Sequence, residues 1–132
     1  MLLMLCGSLT AMAQGGTDEQ LAAHYFQNGE YDKAALYYEK LYTKKPTDFY
    51  YQYYRKSLLQ LEDYKEAEKL AKKQLKRNPN ELKYMVDLGG IYEKLEEPAT
   101  ARQQYDKAIK KLQPQQSQIT NLAKAFTAAN KN

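Results

Sequence analysis

Side chains able to perform catalysis or to hold a metal ion are sparse in this 132-residue chain. His24 is the only histidine and Cys6 the only cysteine, so one chain cannot assemble a histidine-activated nucleophile or a metal site with several histidine ligands. The glycine pairs at 15–16 and 89–90 do not form a phosphate-binding loop. The residues therefore predict a protein without enzymatic activity and without a cofactor.

Acidic side chains leave one enzymatic alternative. Glu62, Asp63, Glu96 and Glu97 cluster where helices are expected to end, and carboxylates at such places usually serve solvation or capping. A hydrolase with paired carboxylates is the alternative that this pattern leaves open.

Positive charge is concentrated in the segment 65–77, which carries six cations and two anions and so a local charge of +4, equal to the formal net charge of the whole chain. A helix of this kind could bind nucleic acid or an anionic lipid surface, which gives an anion-binding module as the alternative function. The spacing of Glu66 with Lys69 and of Glu68 with Lys72 favours ion pairs on a solvated face instead.

One segment recurs three times along the chain. Ala34, Ala67 and Ala101 lie 33 and 34 residues apart, and a fixed period of this length predicts stacked supersecondary units rather than one closed core. Residues at equivalent places before and after each alanine recur with them: Leu21, Tyr54, Leu88, Tyr25, Leu58, Tyr92, Tyr38, Ala71, Tyr105, Pro46, Pro79 and, one place later, Pro114.

The pattern also predicts helices from periodicity alone. Tyr51, Tyr54, Leu58 and Leu61 fall on one stripe of a helix, at i, i+3, i+7 and i+10, and this stripe is predicted to face the core. Breaks are expected at 28–29, 45–48 and 78–80, where Asp48 or Asn80 can cap the next helix.

The recurring residues resemble the tetratricopeptide repeat. The resemblance implies an all-α fold, a right-handed superhelical solenoid of three antiparallel helix pairs followed by a single C-terminal helix. The predicted repeats are about 15–47, 48–81 and 82–115, and the terminal helix about 117–130. In the family pattern a small residue lets the paired helices approach. Ala22 and Gly89 supply it here, but Arg55 stands at that place in the second repeat and is expected to splay the pair or to project outward.

The terminal helix carries Ile119, Leu122, Ala123 and Phe126 on one face. A solenoid needs an end helix with one wet face, so we expect this helix to be a cap. The alternative is that the chain is the front of a longer array.

Residues 1–13 differ from the rest of the chain, because a short apolar run ends in Ala11-Met12-Ala13. This layout predicts a secretory signal peptide cleaved after Ala13, with residues 14–132 as the mature helical domain in the periplasm or cell envelope. The run is too short to span a bilayer. Basic residues do not precede it, which leaves a packing helix of a cytoplasmic protein as the alternative.

The resemblance implies a concave groove formed by one face of each first helix, and such grooves bind extended peptides or helices of partner proteins. We therefore predict an adaptor or scaffold with an apolar floor and a few orienting polar groups. The candidate partner-binding residues are Glu19, Phe26, Phe49, Gln52, Tyr53, Lys56, Leu59, Lys83, Val86 and Asp87. Tyrosines beyond those the repeat needs are further candidates for partner contacts: Tyr37, Tyr42, Tyr50 and Tyr53.

Some family members grip the acidic C-terminus of cytosolic chaperones with a clamp of lysine, asparagine and other basic side chains. The matching places here hold Glu19, Ala23, Tyr53, Lys83 and Asp87. Only Lys83 fits, so the sequence does not predict that clamp.

Overall fold

The computed structural model describes residues 14–129 and places six α-helices there. They are α1 (Gln14–Gln27), α2 (Tyr31–Lys44), α3 (Asp48–Gln60), α4 (Tyr64–Arg77), α5 (Leu82–Lys94) and α6 (Pro98–Ala129). The predicted all-helical fold class is confirmed. The signal peptide expected at 1–13 lies outside the described residues, and its cleavage stays a prediction.

The chain divides into two compact units, one ending at Asp63 and the other beginning at Tyr64. In the first unit α1 packs on α2 and α2 packs on α3, and in the second α4 packs on α5 and α5 packs on α6. The main contacts within each unit thus join helices that are consecutive in sequence, as expected of a repeat made of antiparallel helix pairs.

Small residues are buried where α1 and α2 pair in the first unit. Ala22 and Ala34 are completely buried, as the repeat pattern predicts. The Lys40 ammonium on α2 also lies 2.9 Å from a carboxylate oxygen of Asp18 on α1. Because this lysine is exposed, the ion pair adds little, and burial of apolar side chains is the main force between the helices.

The turn inside each helix pair passes through one residue with a left-handed backbone. These residues are Gly29, Glu62 and Glu96, with φ of 74°, 57° and 60°. In each turn the next residue donates its backbone N–H to the carbonyl five residues earlier, at 2.8 to 2.9 Å, which is the Schellman helix cap. A glutamate in this conformation costs about 1 kcal/mol that glycine does not.

Two predicted helix caps are wrong by one residue. Thr47, in extended conformation, caps α3, because its hydroxyl oxygen accepts a hydrogen bond from the Tyr50 backbone N–H at 3.3 Å. Asp48 is instead the first residue of α3. Before α5 the capping position belongs to Glu81 rather than Asn80, and the Glu81 side chain makes no capping bond.

Arg55 is half-buried and stays against its own helix, α3. Its guanidinium donates a hydrogen bond to the Gln52 side-chain oxygen at 2.9 Å and lies 5.9 Å from the centre of the Tyr51 ring. The expected projection into solvent is therefore incomplete.

Gly89 brings α5 and α6 together in the second unit. A Cβ at this position would lie 2.4 Å from Cε1 of Tyr105 on α6, a separation that real atoms do not tolerate. The close-packing role that the sequence predicts for Gly89 is confirmed by this contact. Ala67 and Ala101, the recurring alanines of this unit, are buried as well.

The last helix runs unbroken from Pro98 to Ala129. Pro98 takes the first helical position, where the missing N–H removes no bond. The boundary expected near Pro114, with a separate helix at about 117–130, is wrong. Pro114 therefore lies inside the helix, where a proline ordinarily costs about 3 kcal/mol.

Only some side chains of the apolar face expected on the C-terminal segment are among those that the structure describes. The side chains of Leu122 and Phe126 lie outside the described part of the structure, and Ile119 is 66% exposed. Among the described residues, no helix combines the length and apolar character needed to cross a bilayer.

Candidate functional site

A groove of about 550 Å³ opens on the first unit, and all three helices of that unit contribute to it. We call it the aromatic groove, because five of the residues that line it carry aromatic rings. Its lining consists of Ala23, Phe26 and Gln27 from α1, Tyr31 and Tyr38 from α2, and Phe49 and Tyr53 from α3.

The rings of the groove hold one another in place. Tyr38 and Tyr53 stack with centroids 5.2 Å apart and planes 19° apart. Phe26 meets Tyr53 edge to face, at 4.9 Å and 84°. Aromatic pairs of this geometry contribute about 0.5–1.5 kcal/mol each beyond the burial of their area. The wall of the groove is therefore preformed rather than assembled when a ligand arrives.

Phe49 stands at the edge of the groove with 59% of its surface exposed. It contacts the Tyr53 ring with centroids 4.9 Å apart, so it belongs to the same cluster. Covering such a side chain with a partner surface releases about 1.5–3 kcal/mol, which makes Phe49 the strongest single candidate for a binding contact.

Tyr38 forms a dry part of the groove wall. Burial, with smaller contributions from the neighbouring Tyr53 and Tyr50, raises the pKa of its hydroxyl to about 12. Tyr38 is therefore neutral at physiological pH.

Three of the predicted polar contacts have partners within the chain. The Tyr50 hydroxyl donates a short hydrogen bond to the Glu19 carboxylate, which raises the pKa of Tyr50. Gln52 accepts the hydrogen bond from Arg55 described above. The Lys56 ammonium lies 5.3 Å from the centre of the Tyr53 ring, which places a positive charge beside the groove.

The structure thus brings together three of the ten predicted binding residues, Phe26, Phe49 and Tyr53, with Lys56 next to them. Leu59 is half-buried and does not line the groove. The other three predicted residues, Lys83, Val86 and Asp87, lie on α5 in the second unit. There the Lys83 ammonium lies 5.1 Å from the Tyr84 ring, Val86 is half exposed and Asp87 is half-buried.

Sequence reasoning missed Tyr31 and Tyr38 as groove residues. Both lie on α2, which is the second helix of its pair, whereas the resemblance implies a groove formed by the first helices. Tyr42 was expected as a partner contact, and this prediction is wrong because only 2% of its surface is exposed. Tyr37 instead stacks on Tyr25, with centroids 5.6 Å apart.

A second depression, of about 560 Å³, is lined by residues of α2 alone: Leu36, Tyr37, Glu39, Lys40, Thr43 and Lys44. It offers one exposed apolar side chain, Leu36, among charged groups of both signs. Side chains from one helix do not converge on a ligand as those of the aromatic groove do, so the groove is the better candidate.

The basic segment 65–77 lies within α4, and its charges are partly neutralised there. Lys69 lies 3.0 Å from Glu66, and Lys72 lies 2.5 Å from Glu68, so the predicted ion pairs are confirmed. The hydrogen bond from Lys72 lowers the pKa of Glu68, and the Tyr92 hydroxyl, 3.1 Å away, acts in the same direction. This pairing favours a solvated helix face over an anion-binding one.

Groups that could hold a metal ion are absent from the described residues: no cluster of three or more histidine, cysteine, aspartate or glutamate side chains occurs there. His24 contacts the Asn28 side-chain nitrogen at 3.0 Å, one helical turn away on an exposed surface.

The repeated helix pairs define an α-helical repeat protein. Residues 56–117 match the family model described as tetratricopeptide repeat. This match places a tetratricopeptide repeat at residues 56–117, and the solved structures below share the fold of the chain. None of the curated proteins matches it.

Three solved structures illustrate the similarity in fold. MamA AMB-1 is 24% identical with a TM-score of 0.61; the match covers 70% of this chain but only 51% of MamA. The TPR2B domain of yeast Sti1, in complex with pHsp70, is 19% identical with a TM-score of 0.61 over 87% of this chain and 90% of that one. The first TPR of Spaghetti (RPAP3), bound to the HSP90 peptide SRMEEVD, is 20% identical with a TM-score of 0.60 over 88% and 92%.

Proposed function

We propose that the protein is a non-catalytic adaptor that holds a segment of a partner protein in the aromatic groove. The observation that carries the proposal is the groove itself: a concave wall of mutually packed rings that leaves Phe49 largely in water. Binding sites are typically concave, largely apolar and preformed, with few polar groups to fix orientation.

Preorganisation supports the same proposal. The rings that line the groove already contact one another, so a ligand need not order them. Binding then loses less conformational entropy than it would on a surface of mobile side chains. Lys56 supplies an orienting charge beside the groove, and Lys83, Val86 and Asp87 stay predicted partner contacts on the second unit.

The structural neighbours support this class of function by their own ligands. The RPAP3 domain is bound to a short peptide, and the Sti1 domain is in a complex with pHsp70. A protein of the same fold with a preformed groove is therefore well suited to hold a polypeptide segment.

Photo-crosslinking in cells tests the proposal. Gln27 is exposed and lines the groove, whereas Glu39 is also exposed but lies on α2 outside it. A photoreactive amino acid in place of Gln27 should capture a partner protein, and the same group in place of Glu39 should not. Capture through position 27 should fall at least tenfold when Phe49→Ala is added.

Leu36→Ala is the matched control, because Leu36 is a second exposed apolar side chain of the same unit. It should leave capture unchanged. Loss of capture with Leu36→Ala but not with Phe49→Ala would place the site at the α2 depression and contradict the proposal.

A further inference from the structure

The chemistry of the groove lining restricts the class of segment that fits it. Besides aromatic rings, the lining offers the hydroxyls of Tyr31 and Tyr53 and the amide of Gln27. Each of these groups can donate a hydrogen bond, and Lys56 beside them can only donate. No carboxylate lines the groove. The site therefore combines apolar faces with several donors, and its acceptors are neutral hydroxyl and amide oxygens rather than carboxylates.

A matching ligand has acceptors and apolar surface but few donors. Proline-rich segments have this composition, because proline has no backbone N–H and its ring is apolar. They adopt the polyproline II helix, which makes no internal hydrogen bonds and leaves its carbonyl oxygens available to outside donors. Aromatic-lined grooves bind such helices in unrelated folds, with proline rings packed on the aromatic faces.

Rigidity on both sides strengthens the match. The groove rings are fixed by their mutual contacts, and a polyproline II segment is already extended before it binds. Neither partner loses much conformational freedom on association.

Two other ligand classes fit less well. Aromatic cages can bind quaternary or methylated ammonium groups, but here the Lys56 ammonium lies over Tyr53 and would repel a second cation. An acidic segment requires several cationic side chains, but none of the residues that line the groove is cationic and Lys56 beside it supplies a single positive charge.

We propose that the aromatic groove binds a proline-rich segment in the polyproline II conformation, with a proline ring on the exposed Phe49 and ligand carbonyls on the donors of Tyr31 and Gln27. This inference rests on the proposed function, because it names the class of partner segment for the same groove.

Peptide titration of the full chain tests the inference. The probe is a fluorescently labelled peptide of eight prolines, and its matched control has alternate prolines replaced by alanine. Fluorescence anisotropy should show binding of the proline peptide and at least tenfold weaker binding of the control. SRMEEVD, the peptide bound by the RPAP3 domain, should also bind at least tenfold more weakly than the proline peptide.

Variants locate the binding within the groove. Phe49→Ala should weaken binding of the proline peptide at least tenfold. Because Phe49 is largely exposed, the variant should still fold, and circular dichroism checks this. Tyr31→Phe keeps the ring and removes one donor, so it should weaken binding about threefold to tenfold. Leu36→Ala should have no effect.

The outcomes separate this inference from the proposed function. Capture through position 27 that depends on Phe49, without binding of the proline peptide, would overturn the inference and leave the adaptor function standing. Tighter binding of the alanine control or of SRMEEVD would also overturn it. If neither capture nor peptide binding responds to Phe49→Ala, both proposals fail.

Discussion

Tyr38 illustrates how one residue can serve the core and the candidate site together. Only 2% of its surface is exposed, yet its ring forms part of the aromatic groove through the stack with Tyr53. A phenylalanine would fill the same volume, so the hydroxyl gives the core a property that can be measured: resistance to ionisation.

Alkaline pH should destabilise the folded chain through Tyr38. Its pKa rises from an ordinary value of 10 to about 12 on folding, chiefly because burial disfavours the phenolate. The stabilising effect is complete below pH 10 and is lost as the pH rises toward 12, because the unfolded chain ionises first. We therefore expect the free energy of unfolding to fall over this window, and to fall less steeply in Tyr38→Phe.

Urea denaturation at a series of pH values measures this difference, and ultraviolet titration of the phenolate counts the tyrosines that ionise late. The comparison with Tyr38→Phe removes the contributions to the pH dependence that the two proteins share. Equal slopes for the two proteins would show that Tyr38 ionises as freely in the folded chain as in the unfolded one.

At the residue scale, the sequence predicts which side chains have a suitable type and helical register. It does not predict which of them meet in the groove. Phe26, Phe49 and Tyr53 were predicted because they lie on the exposed faces of the first helices. Tyr31 and Tyr38 were missed, because whether a ring on α2 reaches the groove depends on how α2 packs against α1 and α3. One chain's periodicity contains no information on that packing.

Helix ends were the least predictable elements, for a physical reason. Asn28-Gly29 predicts a turn, since glycine adopts a left-handed backbone readily. Glu62 and Glu96 adopt the same backbone without any local signal. Glu62 lies 33 residues after Gly29, and Glu96 lies 34 residues after Glu62. This repeat spacing is the sequence signal that predicts both turns. Pro114 predicts a helix end that does not occur, because α6 continues through it.

The packing of α5 on α6 should reverse the usual effect of glycine replacement. Alanine in place of a helical glycine ordinarily stabilises by about 1 kcal/mol. At Gly89 the new methyl would meet three ring atoms of Tyr105 at 2.4 to 2.8 Å, so the ring or the helices must shift. We expect Gly89→Ala to lower the free energy of unfolding by about 1–3 kcal/mol.

Gly90 provides the control one residue away. A Cβ there would have the Tyr105 hydroxyl oxygen as its nearest neighbour, at 3.9 Å, which is ordinary contact. Gly90→Ala should therefore stabilise the protein by about 0.5–1 kcal/mol. Urea denaturation followed by circular dichroism measures both variants, and stabilisation by both would refute the close contact between Gly89 and Tyr105.

At the scale of the whole molecule, the division into two compact units predicts how stability is distributed. The main contacts within each unit join helices that are neighbours in sequence, and the stability of such arrays is approximately a sum of local terms. A local defect should then loosen its own unit more than the other. Helices with few long-range partners open in segments rather than all at once.

The repeat itself supplies a matched pair of substitutions to test this distribution. Ala34 on α2 and Ala101 on α6 are equivalent alanines, 0% and 1% exposed, in different units. Either one changed to glycine should cost about 1 kcal/mol in helix propensity. Hydrogen exchange read by mass spectrometry should show that Ala34→Gly lowers protection mainly in α1, α2 and α3, and that Ala101→Gly lowers it mainly in α4, α5 and α6. Equal loss of protection in both units with either variant would mean that the chain unfolds as one cooperative body, because only a single global opening transmits a local defect to every helix alike.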